Sequence, residues 1–534
     1  MSISNIRVLD CTLRDGGYMN NWRFSDANIK RVIRALNKSG IDIIECGYLD
    51  SIQGTKNDST LYINQESAIN IIEQSGYDST KLYVAMINYG DYDVETLEVP
   101  TIIQGIRLVF HKKHWRDALE DAKVIASKGY KVFFQPMATL SYSDSEILEM
   151  IEAVNELPVY AFYIVDSFGS MKAVDIKRLV SLVNHNLRPD ICMGLHPHNN
   201  LQLAFSNALH FIENVGNVRM AIIDASIFGM GRGAGNLNSE LILTHLNETY
   251  DMNYNIVSLL DIIDQYISTI HAQTYWGYST GHYLSASYGC HPNYATYLLK
   301  KQKLSIPSIE RILKSISEEN KVEFDKVYIE ELYKKSIAYH VSDEEAIEYL
   351  KSKMLGKQII VVGPGKSVED KYDIIEEVDN KVIVVINHYN PQVNANYYFF
   401  SNEKRYFEFL EHLRNNEIDT RELKVILTSN IQEDSSQIFA EKIQVGYEEF
   451  FGSTEQAADN AIIIFLHLVI KLSIQEVSVV GFDGYKEEGS YMKEEMEITL
   501  TKEERNLKNN AIRLELDKIK QKLNINYISH SIFE

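Results

Sequence analysis

The sequence predicts an α/β protein: an N-terminal (β/α)₈ TIM barrel, a helical extension and a C-terminal Rossmann-like α/β domain. Three observations support this prediction. A chain of 534 residues exceeds one usual hydrophobic core, so two or three domains are expected. Short apolar runs alternate with amphipathic stretches from the N-terminus to about residue 240, and a new strand–turn–helix pattern begins near residue 358. We place the domain boundaries at 1–270, 271–354 and 355–534.

The barrel prediction depends on the number of strands. The predicted strands are rich in Val, Ile, Leu, Phe or Tyr and read IRVLDCT, IDIIECGY, KLYVAMI, GIRLVF, KVFFQPM, VYAFYIVD, ICMGLH and RMAIIDAS. The intervening stretches suit helices. One of them has Ser25 as the expected N-cap and Gly40 as the expected end of the helix. Eight such units favour a closed parallel barrel over a doubly wound open sheet, the competing architecture.

Composition excludes several functional classes. The formal net charge of −21, from 53 basic and 74 acidic residues, argues against a general nucleic-acid or anionic-membrane binder. The four cysteines lack a C-x-x-C spacing, so neither a disulfide framework nor a zinc ribbon is expected. No signal-peptide pattern is visible, and the longest apolar run, 461–470, is too short to span a bilayer. We therefore expect a cytoplasmic protein.

Polar residues cluster where the predicted barrel strands end. In (β/α)₈ barrels, chemistry takes place at the carboxyl ends of the strands and in the loops that follow them. The polar residues at these positions are Arg14, Asp15, Glu45, Gln135, Asp166, Ser167, His196, His198, Asp224 and Asn236. Because many are of metal-ligating types, we predict one site at this end of the barrel, with substrate contacts from Glu45, Gln135 and Ser167.

A metal site is the most specific part of this prediction. Side chains two apart on a strand point the same way, so His196 and His198 would present both imidazoles on one face. Asp15 adds a carboxylate, and Asn236 an amide oxygen. This donor set suits Mn²⁺ or Mg²⁺, with Co²⁺ or Zn²⁺ as alternatives, and it lacks the thiolates of a closed structural zinc site.

An arginine beside open metal positions has a chemical use. A 2-oxo acid that chelates the metal would have its adjacent C–H acidified and the resulting enolate stabilised. Arg14 would set a fixed positive charge against the developing oxyanion. The alternative is structural: Arg14 forms a salt bridge with Asp15 or Glu45 that only closes the barrel.

Three separated motifs carry a family resemblance. The segments LDCTLRDGG, HPHNN and GMGRGAGNLNSE, with VDSFGSM between the first two, resemble those of the metal-dependent pyruvate aldolases such as 4-hydroxy-2-oxovalerate aldolase. These belong to a wider superfamily of barrel lyases and acyl-condensing enzymes with an Arg-Asp signature. Over roughly the first 300 residues, the resemblance implies Asp15, His196 and His198 as metal ligands, Asn236 as a fourth ligand or neighbouring group, and Arg14 as the enolate stabiliser.

Two tyrosines complete the predicted catalytic set. Tyr18 stands where the aldolases have an acid/base histidine. A phenol there could transfer or orient a proton, or only hydrogen-bond the substrate while another group or a water acts as base. The segment 277–302 resembles the helical region that closes over the aldolase site. Tyr288 is its best match to that region's catalytic tyrosine, with His291 and Tyr294 close by.

The C-terminal domain carries three short motifs: KQIIVVGPGKSVED, KVIVVINHYN and the Gly-x-Asp ending of SVVGFDGY. These segments resemble those of a sialyltransferase-like group that includes bacterial sugar transferases and pterin pyrophosphokinase-like proteins. Free backbone N–H groups at 365–367 would suit a phosphate at a helix N-terminus, and a plain tight turn is the alternative. The resemblance implies nucleotide contacts, which we assign to Gly363, Gly365, Lys366, Ser367, Asn387 and Asp483.

These observations predict a homo-oligomeric carbon–carbon lyase. A divalent-metal barrel would make or cleave a bond between pyruvate, or a related 2-oxo acid, and an aldehyde. A nucleotide or nucleotide sugar would bind the C-terminal module, which suggests a role in sugar-acid or glycan biosynthesis. Two alternatives remain: Claisen condensation with an acyl-CoA on the same barrel, or a glycosyl- or nucleotidyl-transferring protein whose barrel is a non-catalytic scaffold.

Overall fold

The computed structural model describes residues 5–337, 343–431, 438–447, 450, 460–487, 489–493 and 496–534. The chain forms two compact units. The first comprises residues 1–296 and 316–324, and the second comprises residues 297–315 and 325–534. The predicted helical extension is therefore divided between the units, and the boundaries at 270 and 354 stay predictions.

The first unit is built on a parallel sheet of nine strands. They are β1 (Ile6–Asp10), β2 (Ile43–Leu49), β3 (Leu61–Tyr62), β4 (Leu82–Asn88), β5 (Ile103–Phe110), β6 (Lys131–Pro136), β7 (Val159–Asp166), β8 (Cys192–Pro197) and β9 (Ala221–Ala225). Every strand except the two-residue β3 corresponds to one of the predicted runs. The strand order is β1-β9-β8-β7-β6-β5-β4-β2, with β3 added on β2.

The sheet closes on itself. Strand β1 pairs in parallel with β9, where Val8 lies opposite Ile223, and also with β2, where Leu9 lies opposite Ile43. Eight strands therefore form a barrel, which confirms the predicted fold class. Closure brings the carboxyl ends of β1 and β8 within one strand of each other. Residues distant in sequence can thus share one site.

Helices surround the barrel. They are α1 (Thr12–Asp15), α2 (Asp26–Ser39), α3 (Gln65–Gln74), α4 (Trp115–Ser127), α5 (Asp144–Asn155), α6 (Ala173–Asn186), α7 (Ala204–Val215) and α8 (Ser239–Tyr250). The β4–β5 connection departs from the prediction, because it holds only a 3₁₀ turn, Val94–Thr96. Gly90, with φ of 93°, and Pro100 interrupt any longer helix there. Helix α2 ends at Gly40 as predicted, but the Ser25 side chain makes no capping hydrogen bond.

Alternation along the strands separates two apolar layers. Leu9, Val84, Phe133 and Ile222 belong to the cluster that fills the barrel, whereas Val8 belongs to the cluster between strands and helices. Strands buried on both faces explain the near-continuous apolar runs in the sequence. The polar residues are thereby concentrated at the strand ends.

More helices follow the barrel. They are α9 (Val257–Ile262), α10 (Ser268–Gln273), α11 (Thr280–Ser287), α12 (Pro292–Lys300), α13 (Ile306–Lys314), α14 (Lys326–Ile337) and α15 (Glu344–Met354). A π-helical turn, Ile263–Ile267, joins α9 to α10. Among the described residues, no helix is long and apolar enough to cross a bilayer. The four cysteines are free, in agreement with the expected lack of a disulfide framework, and all four are buried.

The second unit contains a parallel sheet of seven strands. They are β10 (Gln358–Val362), β11 (Lys381–Ile386), β12 (Tyr397–Phe400), β13 (Lys424–Thr428), β14 (Glu441–Val445), β15 (Glu476–Val480) and β16 (Asn524–Tyr527). The helices are α16 (Tyr372–Glu377), α17 (Glu403–Asn415), α18 (Ala461–Lys471) and α19 (Lys502–Ile519). The order β14-β13-β12-β11-β10-β15-β16 reverses between β10 and β15, as in a doubly wound α/β sheet, and confirms the Rossmann-like prediction.

Candidate active site

Three predicted metal ligands converge at the carboxyl end of the barrel. Asp15 lies in the short helix α1 directly after β1, His196 lies in β8, and His198 follows that strand. All three side chains are buried, and one potential ligand atom from each lies within 4.8 Å of the others. The i, i+2 spacing of the histidines therefore brings both imidazoles to one place, as expected for a strand end.

Hydrogen bonds fix the tautomer of each histidine. His198 Nδ1 lies 3.0 Å from the carbonyl oxygen of Asp166. A carbonyl only accepts, so this Nδ1 carries the proton and donates it. His196 Nδ1 lies 2.9 Å from Oδ2 of the Asp224 carboxylate and donates likewise. Both Nε2 atoms keep a lone pair, which is how a metal-binding histidine is held by an outer hydrogen-bond partner.

Several hydrogen-bond acceptor atoms lie close together at this site without enough donors to pair with them. His198 Nε2 lies 3.4 Å from Asp15 Oδ2, and among the described residues it has no hydrogen-bond partner. Two electron-rich acceptors at this distance repel each other unless positive charge lies beside them. Asn236 donates from Nδ2 to Asp15 Oδ2 at 2.7 Å and leaves its buried Oδ1 unpartnered within the same described set. The four side chains thus suit a divalent cation.

A buried network of charges lies behind these ligands. Arg14 donates from NH1 to Asp15 Oδ1 at 2.6 Å and from Nε to Glu45 Oε2 at 2.9 Å. Arg107 pairs with the same Glu45 oxygen at 2.8 Å and also with Asp224. Three carboxylates thus face two guanidinium groups and leave one formal negative charge, which a divalent cation would offset.

The network sets the protonation of the site. Burial alone would raise the pKa of the Asp15 carboxyl, but the Arg14 guanidinium outweighs it and holds that pKa well below its usual range. Asp224 is held low in the same way, mainly by Arg107 against burial. Burial lowers the pKa of His196 to about 4, so its imidazole is neutral at physiological pH. Carboxylates and neutral imidazoles are the forms that bind metal.

Arg107 is a site residue that the sequence analysis missed. It is fully buried, and its NH2 also donates to Gln135 Oε1 at 3.3 Å. The signal was a lone arginine inside the apolar strand GIRLVF, where a charge is tolerated only if it is paired. It joins Glu45 to Asp224 and so connects Arg14 with His196.

We expect Arg107→Met to destabilise the barrel by about 3–5 kcal/mol, because it leaves Glu45 and Asp224 buried without their shared counter-charge. The three tryptophans, Trp22, Trp115 and Trp276, all lie in the first unit, so urea unfolding followed by their fluorescence reports on the barrel.

Arg178→Met is the matched control for this change. Arg178 is exposed, with a surface ion pair to Asp144, and its loss should alter the free energy of unfolding by less than about 1 kcal/mol. Equal small effects for the two substitutions would contradict the role given to Arg107.

The glycines around the site are required by close packing. A Cβ at Gly231 would lie 2.5 Å from Asp15 Oδ2 and 2.3 Å from Asn236 Nδ2, so the loop after β9 packs directly on the candidate ligands. A Cβ at Gly17 would lie 2.0 Å from the Trp22 ring. Gly17 therefore makes room for an indole rather than for a metal or substrate.

A cavity of 510 Å³ adjoins the ligand cluster. Its lining includes Tyr18, Tyr48, Ser167 and Arg232. Arg14 connects the two, because its Cζ lies 6.0 Å from the centroid of the Tyr48 ring and its NH2 has no hydrogen-bond partner among the described residues. The Tyr18 hydroxyl lies 3.4 Å from that of Tyr48. Tyr48, which lines the cavity, is thus near both the Arg14 guanidinium and the Tyr18 phenol.

The other predicted barrel contacts lie in different positions. Glu45 is fully buried and holds Arg14 and Arg107, while the Gln135 amide accepts from Arg107. Ser167 lines the cavity, although its hydroxyl accepts a hydrogen bond from the backbone N–H of Ala138 at 2.8 Å. The geometry gives Glu45 and Gln135 a positioning role, and their predicted contact with substrate stays a prediction.

The helical segment after the barrel contributes His291 and Asn293 to the cavity lining. Tyr288 follows α11 as its C-cap and lies outside that lining, and its predicted catalytic role stays a prediction. His291 is half-buried, with its ring centroid 6.1 Å from that of Phe168. Burial, with Arg232 and His111 nearby, lowers the pKa of its imidazole to about 3. His291 is therefore a neutral group at the cavity wall.

The predicted nucleotide residues are only partly brought together. Gly365, Asn387 and Asp483 line one cavity of 120 Å³ at the carboxyl ends of β10, β11 and β15, where the strand order reverses. Ligands of doubly wound sheets bind at such a switch point. Gly363, Ser367 and the exposed Lys366 lie outside that lining. Asn387 and Arg405 also line an adjoining cavity of 340 Å³.

The expectation of free N–H groups at 365–367 is wrong for two of the three. The N–H of Gly365 donates to the carbonyl of Gly481 at 2.9 Å, and the N–H of Ser367 donates to Asp483 Oδ2 at 3.1 Å. The loop after β15 thus uses these donors to bind the turn. A Cβ at Gly365 would lie 2.5 Å from Asp483 Oδ1, which explains the glycine without a phosphate.

The fold and site define a (β/α)₈ barrel protein with a buried Asp-His-His cluster suited to a divalent cation. Residues 5–265, just under half of the chain, match the HMGL-like family model. The match covers the barrel and its Asp-His-His cluster, so this part of the chain is similar to members of that family.

Curated relatives and a solved structure agree with that match. A 4-hydroxy-2-oxovalerate aldolase from Bacillus thuringiensis is 25% identical over 272 residues, 50% of this chain and 76% of that protein. An oxaloacetate decarboxylase from Mycobacterium tuberculosis is 24% identical over 243 residues, 45% and 69% of the two chains. The N-terminal domain of a putative aldolase from Bacteroides vulgatus is 29% identical with a TM-score of 0.50, covering 57% of this chain and 99% of that one.

Proposed function

We propose that the barrel is a divalent-metal-dependent aldolase that joins pyruvate, or a related 2-oxo acid, to an aldehyde through an enolate, or catalyses the reverse cleavage. The single observation that most supports this is the group of two imidazoles, held through Nδ1 with their Nε2 lone pairs kept, and the Asp15 carboxylate, which Arg14 also contacts. A bound Mn²⁺ or Mg²⁺ would supply Lewis-acid activation of the 2-oxo acid. The named relatives, a 4-hydroxy-2-oxovalerate aldolase and an oxaloacetate decarboxylase, agree with such chemistry.

The chain's own residues have separate tasks in this proposal. Arg14, held by Asp15 and Glu45, offers its NH2, which has no hydrogen-bond partner among the described residues, to the oxygen on which enolate charge develops. In synthesis, C3 of pyruvate loses a proton and bonds to the aldehyde carbon, whose oxygen takes up a proton. Tyr18 remains the predicted group for orienting or transferring a proton, because its phenol lines the cavity beside Tyr48.

Product formation tests this proposal. The full-length protein, loaded with Mn²⁺ and given pyruvate and a panel of aldehydes, should form 4-hydroxy-2-oxo acids detectable by NMR. EDTA should abolish the product, and added Mn²⁺ or Mg²⁺ should restore it. Metal-loaded protein with an intact barrel and no product from any aldehyde would contradict the proposal. Release of free CoA from acetyl-CoA instead would favour Claisen condensation.

We propose separately that the second unit binds a nucleotide or nucleotide sugar, with a role in sugar-acid biosynthesis. The cavities that share Asn387 and Arg405 at the switch point support this, because such crevices are the usual ligand sites of doubly wound sheets. Titration of the full chain with nucleoside mono- and diphosphates tests the proposal. Absence of binding at millimolar concentration would contradict it.

A further inference from the structure

The cavity lined by Tyr18, Tyr48 and Arg232 is larger than a short aldehyde requires. Its volume of 510 Å³ lies in the range of about 300–1,000 Å³ that accommodates drug-sized ligands. Pyruvate with a two- or three-carbon alkyl aldehyde would leave much of that space filled with water. The size of the cavity therefore points to a longer acceptor.

One part of the cavity wall presents fixed polar groups. Asn88 donates from Nδ2 to Asp91 Oδ2 at 2.7 Å. Asp50 Oδ1 accepts the backbone N–H groups of Ile52 and Gln53, each at 2.8 Å, which fixes the orientation of the carboxylate. All of these except Ile52 line the cavity. An alkyl chain would desolvate such groups without pairing them, whereas hydroxyl groups both donate and accept.

Another part of the wall is aromatic. The Trp22 ring lies edge-on to Tyr18 and Tyr48, with centroid distances of 4.7 Å and 5.8 Å. The two phenol hydroxyls lie 3.4 Å apart, so this wall combines ring surface with polar tips. A wall of this kind matches a molecule whose C–H groups and hydroxyls lie side by side, as in a carbohydrate chain.

Arg232 supplies the remaining donors. Its guanidinium lies 5.4 Å from the centroid of the Tyr18 ring, and the side chain is half-buried in the cavity wall. Within the described part of the chain, that guanidinium has no hydrogen bond or ion pair. A guanidinium carries five N–H donors, so several remain for a bound molecule. The neighbouring His291 is neutral and does not compete as a cation.

We propose that the acceptor is a polyhydroxylated aldehyde, an aldose in its open-chain form, and that Arg232 determines this preference by donating to its hydroxyl groups. The inference rests on the proposed aldolase function. C3 of pyruvate loses a proton and bonds to the aldehyde carbon, and the carbonyl oxygen of the aldehyde takes up a proton. The product is a 4-hydroxy-2-oxo acid with a hydroxylated chain, and no oxidant or reductant is needed.

Matched aldehydes test the inference. The Mn²⁺-loaded full-length protein, given pyruvate with either erythrose or butanal, should show a kcat/KM at least about tenfold higher for the four-carbon aldose. Deuterium exchange into the methyl group of pyruvate, measured without any aldehyde, reports on enolate formation alone. If deuterium exchanges into pyruvate but kcat/KM for butanal equals or exceeds that for erythrose, the inference is overturned and the proposed function stands. Absence of exchange would overturn the proposed function itself.

Arg232→Met tests the residue. The erythrose-to-butanal ratio of kcat/KM should fall about tenfold, because the substitution keeps most of the side-chain volume but removes the donors. A general loss of enolate formation would lower kcat/KM for both aldehydes by the same factor, so it would leave this ratio unchanged. Arg232→Lys should retain part of the preference, and Arg116→Met on the outer helix should retain all of it. An unchanged ratio in Arg232→Met would contradict the role of Arg232.

Discussion

Replacing His196 with alanine should remove metal binding and lower pyruvate turnover by about 10³-fold or more. The imidazole offers its Nε2 lone pair because Nδ1 is held by the Asp224 carboxylate, and alanine offers no donor atom in its place. Several kcal/mol of transition-state stabilisation depend on the metal, and each 1.36 kcal/mol is a tenfold change in rate. Metal content by mass spectrometry and the rate of pyruvate deuterium exchange measure the two effects.

His185→Ala is the matched control for this prediction. His185 is an exposed histidine on α6, bonded to the backbone carbonyl of Ser181. The control should bind metal and turn over pyruvate at the wild-type rate. Tryptophan fluorescence should show a folded barrel in both variants. A His196→Ala protein with full metal content and turnover would show that the Asp-His-His cluster is not the metal site.

Arg14→Lys should lower kcat by about 10²–10³-fold while metal content is retained. Lysine keeps the positive charge but lacks the planar guanidinium fork. Through that fork Arg14 binds Asp15 and Glu45 with two of its nitrogens, while NH2 has no hydrogen-bond partner among the described residues. Loss of one preorganised donor to a developing oxyanion typically has an effect of this size. The steady-state kcat for condensation, with metal content and unfolding midpoint measured on the same sample, checks it.

The same experiment separates the two interpretations of Arg14 left open by the sequence. If kcat is unchanged and only the unfolding midpoint falls, Arg14 serves to close the barrel through its ion pairs. If kcat falls at constant metal content, it contributes to catalysis. Arg116→Lys, at an exposed position, is the control and should alter neither quantity.

The barrel and the convergence of Asp15, His196 and His198 could be predicted because their signals are local. Each strand is buried on both faces and reads as a continuous apolar run, and strand ends are marked by polar residues such as Asp15. Alternation along a strand places His196 and His198 together wherever that strand lies. The closed barrel then brings Asp15 to them, because β1 is separated from β8 only by β9.

The partners of Arg107, the reasons for two of the glycines and the lining of the cavity depend on long-range packing, which the periodicity of the sequence does not encode. Arg107 pairs with Asp224 across 117 residues, and nothing near it in sequence marks its partners. Gly17 is explained only by Trp22, and Gly365 only by the loop that carries Asp483. His291 lines the cavity whereas Tyr288, the C-cap of α11, does not, and the spacing of residues in this tyrosine-rich segment does not show which of them reaches the cavity.

Deuterium exchange into pyruvate tests the central claim most directly, because it needs neither the aldehyde nor the second unit. The full-length protein with Mn²⁺ in D₂O should incorporate deuterium at C3 of pyruvate, observed by NMR as loss of the methyl proton signal. EDTA should stop the exchange, and renewed Mn²⁺ should restore it. Exchange that persists after complete metal removal, or its absence in a folded, metal-loaded protein, would contradict the assignment of metal-dependent enolate chemistry to the barrel.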